Sequence, residues 1–149
     1  MSMECAVFAV IPVELTREVI EKIILNGEGL EFYYDNLDIH GKEKFKEGDI
    51  SSLIDHLYLE SKAISAKTYN AWVDGYADKS GYFLGLTRGG ETHFPLKPNE
   101  FELRFTCGNA LYKHAFFHEN FYTDLSWYTQ TVLDLTKGLP IKKLHTLLK

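Results

Sequence analysis

At 149 residues, with 45% apolar and 25% charged side chains, the chain has the size and composition of one globular domain spanning residues 1–149. That composition excludes collagen-like, low-complexity and intrinsically disordered classes. The formal charge of −5 is uneven: residues 1–60 carry 13 acidic and 5 basic side chains, and residues 61–149 carry 8 and 11. Such a split argues against nucleic acid and for a basic protein as partner.

Glu4–Ile11 is short, apolar and β-prone, and reads as a strand buried on both faces. The apolar run ending at Val13 stops at Glu14, too short to span a bilayer. No basic region of a signal peptide precedes it, so a cytoplasmic protein is expected. Pro12 suits the first turn of a helix. Leu15, Val19, Ile20, Ile23 and Ile24 form one apolar stripe over residues 13–25, with Glu14, Arg17, Glu18 and Glu21 opposite and Asn26-Gly27 as the stop. Leu30–Asp35 predicts a second strand, and Asn36–Gly48 a polar surface loop. Asp49 is a suitable N-cap for a helix to about Ala63 whose Leu53, Ile54, Leu57 and Tyr58 face inward.

Residues 67–79 show no clear period. Gly81–Thr87 and Glu91–Pro95 flank Arg88-Gly89-Gly90 and predict a hairpin. Phe101, Leu103 and Phe105 alternate with Glu100, Glu102 and Arg104, the pattern of a half-buried strand. Gly108-Asn109 can turn that strand back into Ala110–Phe117. Phe121, Leu125, Tyr128, Val132 and Leu135 keep helical spacing, with Asn120 as cap and Gly138 and Pro140 as stops. Ile141, Leu144 and Leu148 predict a short tail helix. The expected fold is α+β: a mostly antiparallel sheet of about five to six strands with about four helices packed on it.

Chemistry concentrates between Tyr112 and Tyr128, where seven aromatic rings, two histidines and two carboxylates fall within 17 residues. On a helix, His114 and His118 at i,i+4 share a face and can hold a metal. The protease signature needs its glutamate between the histidines, whereas Glu119 follows them. The strand expected over Ala110–Phe117 would also separate the rings. A third ligand would have to be found among His93, His56 and Asp124. Cys107 at a turn offers a nucleophile without a surrounding signature. Gly85, Gly89 and Gly90 lack the Lys-Ser/Thr end of a phosphate loop. Cys5 and Cys107 form no C-x-x-C or zinc framework; one disulfide is open to them, but in a reducing cytosol two buried free thiols are expected.

A small acidic, tyrosine-rich chain without a catalytic constellation fits a non-catalytic protein-binding module with no cofactor. The concrete expectation is a bacterial immunity or antitoxin-type inhibitor that neutralises a basic toxin, such as a nuclease. Glu28, Glu31, Asp35 and Asp38 would face the partner's basic groups, with Tyr33 and Tyr34 as aromatic anchors. Two alternatives are a small metal-dependent or cysteine enzyme using His114, His118 and Cys107, and a structural subunit of a homo-oligomer.

Overall fold

The computed structural model describes residues 5–27, 30–35, 42–44, 50–59, 64–68, 82–89, 91–107 and 125–148. The elements in chain order are β1 (Cys5–Ile11), α1 (Arg17–Leu25), β2 (Leu30–Asp35), β3 (Lys42–Lys44) and α2 (Ile50–Leu59). They are followed by β4 (Ile64–Thr68), β5 (Tyr82–Thr87), β6 (Phe101–Cys107), α3 (Leu125–Leu135) and β7 (Lys143–Leu148). The fold is α+β. The strands form one sheet of order β3-β2-β4-β5-β6-β1-β7, every neighbouring pair antiparallel.

Alternation along the central strands explains the layers. Val7, Ala9 and Ile11 of β1 join Leu84 and Leu86 of β5 and Phe101, Leu103 and Phe105 of β6 on one face. Ile20, Ile23 and Ile24 of α1, Leu53, Ile54 and Leu57 of α2, and Tyr128, Val132 and Leu135 of α3 cover that face and complete the core. Of the inward residues expected of α1 and α2, Leu15, Ile20, Ile23, Ile24, Leu53, Ile54 and Leu57 are buried, while Val19 and Tyr58 are partly buried and pack against them. Ala6, Phe8 and Val10, on the other face of β1, are also buried, so this strand is covered on both sides as its apolar run predicts.

Several expectations are corrected. The C-terminal segment is a strand: β7 pairs with β1 in the register Phe8↔His145 and Val10↔Lys143. Its alternating Leu144, Thr146 and Leu148 serve a strand as well as a helix, and the open edge of β1 decides between them. Glu91–Pro95 is no strand and makes no hairpin with β5, which pairs with β4 and β6. The amides of His93 and Phe94 are satisfied by a side chain, the Glu102 carboxylate, so they are not available to a ladder. Among the described residues there are seven strands rather than five to six, and three helices rather than four. Lys42–Lys44 adds a strand within the expected loop. α1 begins at Arg17, capped by Thr16, rather than at Pro12. α2 is described over Ile50–Leu59 and α3 over Leu125–Leu135, and the expected helical positions 60–63 and 121–124 lie outside the described residues. Asp49, Asn120 and the strand expected at Ala110–Phe117 lie outside the described residues. Gly138, at φ +85°, ends the α3 region where a Cβ would meet the Lys22 side chain at 2.8 Å. No helix among the described residues is long and apolar enough to cross a membrane.

Candidate functional site

Helix α1 presents a carboxylate-rich face. The Thr16 hydroxyl accepts a hydrogen bond from the Val19 amide at 3.2 Å, which sets the start of the helix. From there Glu18, Glu21 and Leu25 recur at i, i+3 and i+7 along one exposed side, with exposed Glu14 just ahead. Leu25 is 64% exposed, a large apolar group at the end of an acidic row. Beside it, a shallow depression is lined by Leu25, Asn26, Asp134 and Lys137.

Contacts at both ends of α1 tie this face to its neighbours. Arg17 pairs with Asp55 of α2, and its guanidinium lies 5.1 Å from the Tyr58 ring centre, while Arg88 lies 4.3 Å from the same ring. At the other end, Asn26 Nδ2 donates to the carbonyls of Leu135 and Lys137, both at 3.0 Å, and Lys22 Nζ donates to the Gly138 carbonyl at 3.4 Å. The C-terminus of α1 is thereby tied to that of α3.

The expected partner contacts continue along the chain from this face. Glu28 and Asp38 lie outside the described residues. Glu31, Tyr33, Tyr34 and Asp35 all belong to β2, between β3 and β4 near one end of the sheet. In backbone register Glu31 opposes Lys67, Tyr33 opposes Ser65 and Lys44, Tyr34 opposes Glu43, and Asp35 opposes Lys42.

On the opposite face of the sheet lies a histidine cluster that sequence reasoning missed. The His93 ring stacks on Phe8 with centroids 4.1 Å apart and planes 16° apart, and its Nε2 lies 2.6 Å from Nδ1 of His145. A hydrogen bond between the two rings needs one nitrogen to carry the proton and the other a lone pair. Arg104 lies 5.0 Å from the centre of the Phe8 ring, and Lys143 Nζ 5.6 Å from that of Phe94. Beneath them Glu102, 1% exposed, accepts the amides of His93 at 3.1 Å and Phe94 at 2.8 Å, and Arg104 Nη2 stands 3.7 Å away. Two amide bonds to Glu102, the His93–His145 contact and one ring stack therefore fasten residues 91–100 over β1, β6 and β7.

Glu100 closes this segment. Its carboxylate accepts the Lys97 amide at 2.8 Å and the Lys142 ammonium at 3.0 Å. The Lys97 amide first, then Lys142, hold the Glu100 carboxyl below its ordinary value, against a smaller opposing effect of burial. A folded pKa below the unfolded one adds stability that is present above about pH 4.3 and is lost as pH falls through the lowered value. Glu100→Gln is therefore expected to unfold at lower denaturant than the parent at pH 7, with the difference shrinking below about pH 4. Urea midpoints across that range test this; a difference that grows on acidification would refute it.

The enzyme alternative gains no assembled site from these residues. His114, His118 and Asp124 lie outside the described residues, and Cys107 is the last residue of β6. His56 sits on α2 in the helical layer, whereas His93 stacks on Phe8 across the sheet, so these two do not converge. Among the described residues no three His, Cys, Asp or Glu side chains are grouped to hold a metal ion. The His93–His145 contact helps to anchor residues 91–100 to the sheet, and the acidic face of α1 is the candidate contact surface. Comparison with known protein families, curated proteins and solved structures finds no match for this chain.

Proposed function

We propose that this chain is a non-catalytic binding protein of the immunity or antitoxin type, which neutralises a basic protein such as a nuclease by covering it. The observation that carries this reading is the acidic face of α1: exposed Glu14, Glu18 and Glu21 lead to exposed Leu25, and the chain then runs into the acidic, tyrosine-bearing positions 28–38. Carboxylates in such a row take the place of the phosphates a nuclease meets. They raise the encounter rate, while an apolar or aromatic anchor supplies most of the affinity. The ties from Arg17 to Asp55 and from Asn26 to the end of α3 support the reading, because a surface already tied to its neighbours loses less entropy on binding.

The test is capture from the source organism on the immobilised chain, eluted over a salt gradient, followed by kinetics with the recovered protein. A basic protein in near-equal amount, released by salt and inactivated on adding the chain back, is expected. Glu18→Lys with Glu21→Lys, and separately Asp35→Lys with Asp38→Lys, should each slow association roughly tenfold at low salt, the effect fading towards about 0.5 M. An association rate indifferent to both pairs of reversals sinks the electrostatic reading.

A further inference from the structure

We propose that Cys5 and Cys107 are a redox-responsive modification site, closing under oxidation into a disulfide between neighbouring strands. The two residues lie 102 positions apart in the chain, yet the fold brings their backbones together. β1 and β6 pair antiparallel from Ile11↔Phe101 through to Ala6↔Thr106. One further step along that register sets the first residue of β1 opposite the last residue of β6, and those residues are the only two cysteines in the chain. Each is also flanked on its outer side, Cys5 by Leu148 of β7 and Cys107 by Tyr82 of β5. Both backbones are therefore held within the sheet rather than in loose ends.

Directly opposed residues in an antiparallel pair have Cα atoms about 4.5–5.5 Å apart, inside the roughly 4.4–6.8 Å range that a disulfide spans. Their Cβ atoms stand about 4.5–5.5 Å apart in an unlinked pair, whereas a disulfide needs about 3.5–4.5 Å. Closure therefore needs at most a small approach of the two backbones, and exchange with excess thiol reverses it, so the pair can act as a switch.

The oxidant is a small-molecule disulfide, glutathione disulfide being the abundant example. One cysteine thiolate attacks a sulfur of that disulfide, forming a mixed disulfide and releasing one glutathione thiolate. The second cysteine thiolate then attacks the protein sulfur of the mixed disulfide, forming the Cys5–Cys107 bond and releasing the second glutathione thiolate. Two protein thiols are oxidised, one small disulfide is reduced to two thiols, and each protein thiol loses its proton to solvent. In a reducing cytosol the resting form is the dithiol, and the link forms when the glutathione pool shifts towards its disulfide.

Native protein incubated in mixtures of reduced and oxidised glutathione, quenched by alkylation and mapped by mass spectrometry, tests this. The expected product is a monomer lighter by about two hydrogens, with the Cys5 and Cys107 peptides joined, and restored by excess reduced glutathione. It should melt roughly 5 °C or more above the dithiol form. Cys5→Ser and Cys107→Ser should both lack the joined peptides. The proposal is overturned if native protein keeps two free thiols throughout, carries two separate glutathione adducts, links only between molecules, or forms the bond only after unfolding in urea.

Discussion

Phe105→Ala is expected to destabilise the protein by about 3–5 kcal/mol, the range for emptying a fully buried aromatic site. Phe105 is completely inaccessible and sits on β6, where its register partners are Val7 on β1 and Leu84 on β5. Its ring lies 6.2 Å from that of Tyr128, a fully buried residue of α3. Truncation therefore opens a void where β6, its neighbouring strands and α3 meet. Against a typical total of about 5–15 kcal/mol, that loss leaves the variant marginal. A fall in melting temperature of roughly 10 °C or more is expected. Denaturant titration with a loss under about 1 kcal/mol would mean that the helical layer does not pack on β6 as described.

Glu102→Ala should cost about 2–4 kcal/mol, although it removes a charge from the interior. Burying a carboxylate is unfavourable in itself, and on that ground alone its removal would help. The geometry decides otherwise, because Glu102 is the acceptor for the amides of both His93 and Phe94. Alanine leaves two donors stranded beneath the segment and deprives Arg104 of its neighbouring charge. Glu102→Gln retains one carbonyl acceptor and should lose about half as much. Amide exchange separates this account from a general loss of packing. Protection at His93 and Phe94 should collapse in Glu102→Ala while core amides of β1 and β6 stay protected in proportion to global stability. Unchanged protection at those two amides would refute the capping role.

Those two positions also mark where the fold was legible in the sequence and where it was not. Phe105 was readable because one-sided burial imprints a period of two on Phe101, Leu103 and Phe105, and the same logic at period 3.6 gave Ile20, Ile23 and Ile24 of α1. The acidic face of α1 was visible as the complement of that stripe. Glu102 obeyed the alternation, which put it on the polar side of β6, but periodicity says nothing about whether another segment lies over that side. The His93–His145 contact had no local signal at all: the two are 52 residues apart and meet only because β1 and β7 pair around Phe8. Residues 143–148 were ambiguous for a physical reason. In six residues, Leu144 and Leu148 satisfy both a helical and an extended period, and only the neighbour they dock against resolves the choice.

The strand order carries a consequence for how fast the sheet can close. Among the described elements, β1 comes first along the chain, yet the strands it pairs with, β6 and β7, come last. Ile11 meets Phe101 and Val10 meets Lys143, so the pairings that bury β1 join distant positions and give the sheet a high contact order. Closing such long loops costs entropy before any contact repays it, and folding is therefore expected to be slow for a domain of this size.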